Sequence, residues 1–197
     1  MEKNPTAISS FVVSKINLLL NRKESHISAD LAKLRRGIGK QPGSIPDIWD
    51  LTLNNLPEEF YSHSDQPTPG EWAAHLSLTL FALHQQGNDP KQSKMSKPDQ
   101  TLGRAVRILV NNLGIESEDA IKRRFDTVVT SDTPEELAHH LRGLINLLKS
   151  KNIPLDYPQL ADDLLKFQSP RLRDSVRLRW GQDYYSKERK DEGNDEK

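Results

Sequence analysis

Residues 68–87 read TPGEWAAHLSLTLFALHQQG. Thr68 and Glu71 stand three apart, the spacing at which a threonine side chain and a glutamate satisfy each other's orphan N–H groups at a helix start. Pro69 suits the first helical position, where no N–H is needed, and Gly87 closes the stretch. Between these ends Trp72, Leu76, Leu80 and Leu83 make a stripe, and Ala73, Leu78 and Phe81 spread it nearly all round. A helix apolar on every side belongs in an interior. This stretch therefore predicts a central helix that the rest of the chain must surround.

Helical punctuation continues in both directions. Ile8, Phe11, Val12, Ile16 and Leu19 keep helical spacing near the N-terminus. Ser28 can cap a short helix ended by Gly37, and Pro46 can open another with Ile48, Trp49 and Leu53 as its apolar side. All three tryptophans sit among apolar residues and read as core. On the C-terminal side NDPKQSKMSKPDQT, residues 88–101, is polar, lacks periodicity and reads as a functional or disordered loop. Helices follow with Leu102, Ala105, Val106 and Leu109 inward, then Ile121, Phe125 and Val128 behind a Ser117 cap. Thr133 and Glu136 repeat the capping box before Leu137, Leu141, Leu144, Ile145 and Leu148. Pro158 and Ser169–Pro170 start the last two. The expected fold is all-α, about eight or nine helices in two packed bundles, residues 1–114 and 115–185. Residues 186–197 form a charged tail without core formers, expected to be disordered.

Bulk charge is uninformative: 28 Lys plus Arg balance 28 Asp plus Glu over 197 residues. There is no cysteine, which excludes disulfides and thiolate metal sites. No stretch approaches the roughly 20 apolar residues of a membrane span, so the cytoplasm is the expected location. His139 and His140 are adjacent and diverge by about 100° on a helix, so they cannot share a metal. No His-Glu-x-x-His or phosphate-binding glycine loop occurs. The paired acids Asp162–Asp163 and Glu135–Glu136 read as dipole and solvation groups in early helical turns. No enzyme activity, metal or cofactor is expected.

The distribution of charge says more. Lys33, Arg35, Arg36 and Lys40 meet no acid between Leu31 and Pro46. Lys91, Lys94 and Lys97 stud the long loop, Arg104 and Arg107 share one helix side, and Lys122, Arg123 and Arg124 are consecutive. PRLRDSVRLRW adds Arg171, Arg173, Arg177 and Arg179. Like charges at helical spacing cost a few tenths of a kcal/mol, so an anion must offset them: a protein carboxylate or a phosphate. The planar fork of arginine suits bidentate phosphate contacts. Nucleic-acid binding and protein docking both remain open on these residues.

The strings LAKLRRG, WAAHLSLTLFALHQ, TLGRAVRIL, IKRRFDTVV, HHLRGLINLLKSKNIPLDYPQLADDLLKF and VRLRWGQDYY occur in that order. In this ordered set the chain resembles the CasB family, the small subunit of the type I-E CRISPR surveillance complex Cascade, over about Ser28 to Tyr185. The resemblance implies two helical bundles without catalysis, and a head-to-tail pair of copies inside a complex with other Cascade subunits. It implies contact with guide RNA, target DNA and the displaced strand, holding the R-loop open in antiviral defense. Carried onto this sequence it points to Arg35, Arg36, Arg104, Arg123, Arg124 and Arg142, with Lys94 and Lys97 in the preceding loop; Arg107 and Lys122 join them from the clusters above. Of the PRLRDSVRLRW arginines, at least Arg179 reads as structural, with Asp162 and Asp163 as available partners.

Overall fold

A computed structural model describes residues 5–186. Nine α-helices occur among them: α1 (Ala7–Leu20), α2 (Glu24–Arg36), α3 (Trp49–Thr52), α4 (Pro69–His84), α5 (Leu102–Leu113), α6 (Glu118–Thr130), α7 (Pro134–Ser150), α8 (Tyr157–Phe167) and α9 (Pro170–Tyr185). Short 3₁₀ turns cover Pro46–Ile48, Glu58–Phe60 and Ile115–Ser117. An isolated bridge between Ser96 and Leu155 is the only β pairing among the described residues. The expected tail lies outside them from residue 187 onward.

α4 is the centre that its sequence predicts. Both halves of the Thr68–Glu71 capping box are made, and every residue from Gly70 to His84 is buried. α1, α2, α3, α7 and α8 all pack on it. α1 lays its stripe of Ile8, Phe11, Val12, Ile16 and Leu19 inward and packs on α8 as well. α9 lies against α5 and α8. The contacts of α1 and α4 with α8, and of α5 with α9, cross Gly114, and one hydrophobic cluster runs from Ile8 to Tyr184.

Two glycines set how closely elements approach. A Cβ on Gly103 would lie 2.2 Å from the Trp180 carbonyl oxygen, so α5 and α9 meet backbone to backbone. Gly37 ends α2 with φ −78°, so its left-handed freedom is not used. A Cβ there would sit 2.8 Å from Ile48 Cδ1 and 2.9 Å from Thr79 Cγ2. Its carbonyl lies 2.9 Å from His75 Nε2. Space on the flank of α4 is what requires a glycine at the end of α2.

Several local expectations are corrected. α2 starts at Glu24, a turn before Ser28, and its N-cap Lys23 makes no side-chain cap. Ser117 precedes α6 without capping it through its side chain. Thr133 accepts from the Glu136 N–H, but Glu136 returns to the Asp132 N–H instead, so the second box is half-made. Trp72 and Trp180 are buried, whereas Trp49 is 46% exposed, its indole N–H donating to the Gly43 carbonyl at 2.8 Å. The Asn88–Thr101 segment is fastened in place. Gln85, almost fully buried, donates from Nε2 to the Ser93 carbonyl and accepts from the Met95 N–H. The Leu155 N–H donates to the Met95 carbonyl (3.0 Å), and the Lys97 N–H to the Leu155 carbonyl (3.1 Å).

Candidate nucleic-acid interface

The ten basic residues marked by the sequence separate into two groups. Four meet carboxylates. Arg36, at the end of α2, pairs with Asp47 at 2.8 Å. Arg104 on α5 reaches Asp183 of α9 at 3.6 Å and donates to the Asp99 carbonyl. Arg107 pairs with Glu118 at 3.0 Å and lies over the Tyr184 ring. Lys122 pairs with Asp126 one turn along α6. The acids that neutralise Arg104 and Arg107 come from the C-terminal half of the chain, outside the local window in which none occurs. Surface pairs of this kind hold geometry more than they stabilise.

The other six, Arg35, Lys94, Lys97, Arg123, Arg124 and Arg142, have no carboxylate within ion-pair distance among the described residues. Arg35 is half-buried on α2, and that burial lowers its pKa without neutralising a guanidinium near pH 7. Lys94 and Lys97 are exposed on the fastened loop. Arg123 donates to the Asp119 carbonyl of its own helix and is otherwise exposed, as are Arg124 and Arg142.

The structure brings some of these together. α6 packs on α7, and a cavity of about 110 Å³ between them is lined by Arg124, Thr127, His139, His140, Gly143 and Leu144. Arg123 neighbours Arg124 in sequence on α6, and Arg142 follows His139 by three residues on α7, but neither lines the cavity. Arg35 stands on α2, which packs on α1, α4 and the Pro46–Ile48 turn rather than on α6 or α7. The six cations without carboxylate partners are therefore distributed over three places: the α2 end, the Lys94–Lys97 loop and the α6–α7 pair.

PRLRDSVRLRW has a different fate. Arg179 pairs with Asp163 Oδ1 of α8, which also accepts from Gln159 at 2.7 Å, and Asp163 Oδ2 takes the Trp180 indole N–H at 2.6 Å. Asp163 is 1% exposed, and burial pushes its carboxyl up to about 6 against the pull of Arg179, Trp180 and Gln159. Asp162 is also buried and pairs with Lys166 at 2.6 Å. The solvation reading of this acid pair is thus overturned: both acids are interior groups that fix α8 to itself and to α9. Arg173 donates to the Phe167 carbonyl and meets Asp132, and Arg177 donates to the Val129 carbonyl. These three arginines join α9 to α8, α6 and the turn before α7.

Sequence reasoning also passed over Lys15. It sits inside the α1 stripe, almost fully buried, with Nζ donating to the Asp50 carbonyl at 2.7 Å, and burial lowers its pKa. His139 and His140, set aside in the sequence as a pair that cannot share a metal, line the α6–α7 cavity. Their rings stand 5.3 Å apart, and His140 lies 3.7 Å from Glu136. The signal for both was the neighbouring Arg142, three and two residues away. Among the described residues no group of three or more His, Asp and Glu is placed to hold a metal ion, and no helix is long and apolar enough to cross a membrane.

Fold and site together define an all-helical protein with cations left open on the outer faces of its helices. The family model for CRISPR-associated protein Cse2 matches residues 30–185, and the chain belongs to that family, also called CasB. The crystal structure of CasB from Thermobifida fusca is 31% identical and aligns over 93% of this chain and 100% of that one, with a TM-score of 0.76. A Cse2-family protein from Thermus thermophilus (24% identity, 90% of this chain and 97% of that one, TM-score 0.65) shares the fold. So does CasB from M. ruber (22% identity, 92% and 94%, TM-score 0.65). Comparison with curated proteins gives no match.

Proposed function

We propose that this chain is a non-catalytic subunit of a Cascade-type RNA-guided DNA surveillance complex, holding the R-loop open through backbone phosphates of the guide–target duplex and the displaced strand. The observation that carries this reading is the separation of the basic residues. Arg173, Arg177 and Arg179 are used inside the fold, while Arg35, Lys94, Lys97, Arg123, Arg124 and Arg142 keep their charge for an outside anion. Exchange of a DNA duplex for an RNA–DNA duplex is nearly balanced, so a few such contacts tip it. The contacts are sequence-tolerant, because phosphates carry no base information. A head-to-tail second copy and neighbouring subunits complete the proposed assembly.

A second reading, a helical scaffold that docks protein partners without touching nucleic acid, is favoured by Leu178 (62% exposed) and Tyr185 (71% exposed), seven residues apart on α9. Replacing Arg35, Arg123 and Arg124 with Ala separates the two. The first reading expects complex of full mass by native mass spectrometry with impaired R-loop formation. The second expects subunit loss, with unchanged target binding by whatever assembles.

A further inference from the structure

We propose that the α6–α7 cavity is a seat for one backbone phosphate of a polynucleotide, with His139 and His140 as its pH-responsive wall; this rests on the nucleic-acid reading above and names a site within it. Its lining supplies one guanidinium, two imidazoles, one hydroxyl and no carboxylate. Arg124 has no hydrogen-bond or ion-pair partner for its side chain among the described residues. Thr127 spends its proton on the Arg124 carbonyl at 2.7 Å, which leaves the guanidinium and the imidazole N–H groups as donors. Gly143 opens the floor: nothing lies within 4 Å of where its Cβ would be. The volume of about 110 Å³ holds several waters' worth of space, suited to a tetrahedral oxyanion.

The surrounding charges favour an anion. Arg123 and Arg142 stand on the same two helices, exposed and outside the lining. Among the described residues Glu136 is the acid within ion-pair distance of a histidine, 3.7 Å from His140, and Glu135 stands four residues before His139 on the same helix. α4 and α5 also pack on α7, but the cavity itself is lined by α6 and α7 alone. A concave site lined by a guanidinium and two imidazoles, with no acid, favours negative charge. Imidazole is the side chain that gains a positive charge just below neutral pH. A phosphate seated between the rings stabilises that charge, so binding and protonation reinforce each other. A phosphate chain rather than an acidic peptide is the better occupant because two further exposed arginines without carboxylate partners, Arg123 and Arg142, stand on the same two helices, as a backbone with repeated charges requires.

The test is a titration of the full-length chain with a short single-stranded oligonucleotide, followed through the histidine ring resonances. His26 and His63 serve as controls outside the cavity. The expected result is that the His139 and His140 resonances shift on addition of oligonucleotide while those of His26 and His63 do not. Arg124→Gln should reduce this response severalfold, inorganic phosphate should produce it more weakly, and polyglutamate should not produce it. His139→Gln/His140→Gln should bind as wild type at alkaline pH and lose the tightening on acidification. An equal response to polyglutamate overturns the assignment in favour of an acidic protein partner. An equal response to inorganic phosphate assigns a free-phosphate site and overturns it too. If the double variant keeps the wild-type pH dependence of oligonucleotide binding, the seat is wrong while backbone binding stands. If no oligonucleotide binds at all, the seat falls together with the reading it rests on.

Discussion

At the scale of single residues the fold depends on a few positions where no alternative side chain fits. Gly103 is the tightest, because a Cβ would meet the Trp180 carbonyl and the Asp183 Cβ at once. Backbone cannot swing aside as a side chain can, so Gly103→Ala should cost about 3 kcal/mol or more by forcing α5 away from α9, read as a lower urea midpoint. Asp163 is the second. Asp163→Ala leaves Arg179 and the Trp180 indole N–H without their shared partner, and a broken buried pair costs about 3–5 kcal/mol. Chemical denaturation measures that loss, and the buried Trp180 reports it by fluorescence. His84 is the third. Its Nδ1 lies 2.9 Å from the Tyr157 hydroxyl, which donates to the Leu80 carbonyl, and burial lowers its pKa to about 4. The unfolded imidazole has a pKa of about 6.5. Between those values the unfolded chain takes up a proton that the folded chain refuses. The contribution is therefore complete above the unfolded value and declines as pH falls toward about 4, by up to about 3 kcal/mol. Asp163, raised rather than lowered, acts in the opposite direction. The clean measurement is thus a difference: urea midpoints of His84→Leu should fall less between about pH 7 and about pH 4 than those of wild type.

At the scale of elements, what was legible in the sequence was local. α4 could be placed because its start, its stop and its all-round apolar pattern lie within one twenty-residue window, and the stripe of α1 likewise repeats within a few turns. What was not legible depends on residues far apart in sequence. Nothing near Asn88–Thr101 announces order, because its fastening comes from Gln85 before it and Leu155 more than fifty residues after it. Nor does anything near Asp163 announce burial, since the groups that satisfy it include Arg179 and Trp180 on the next helix. Trp49 looked apolar by its neighbours, but its helix is a single turn and leaves the ring at the surface. The candidate site was half legible: arginine positions could be read, but which of them the fold would neutralise could not. The loop yields an element-scale prediction. Gln85→Ala removes both clamps on Ser93 and Met95, so backbone amides of 88–101 should exchange faster while those of α5 and α8 stay protected. The buried Met95 N–H left unpaired should cost about 1–3 kcal/mol.

At the scale of the whole molecule, α1 and α4 bury their faces against α8, and α5 against α9, across the expected boundary at Gly114. A core continuous in this way should unfold in one cooperative transition, with circular dichroism and tryptophan fluorescence giving coincident curves. The same continuity holds the α2 end, the loop and the α6–α7 pair in fixed relation. The central claim is that cations left open by the fold meet phosphates. Its most direct measurement is the salt dependence of target binding by reconstituted complex carrying Arg123→Gln, Arg124→Gln and Arg142→Gln. Removing one phosphate contact should flatten the log–log slope by about 0.9 for duplex DNA or about 0.7 for a single strand. The account predicts a slope shallower by about three such steps, one for each arginine removed, with weaker binding and a complex of unchanged mass. A fully assembled complex that binds target with the wild-type slope would contradict it.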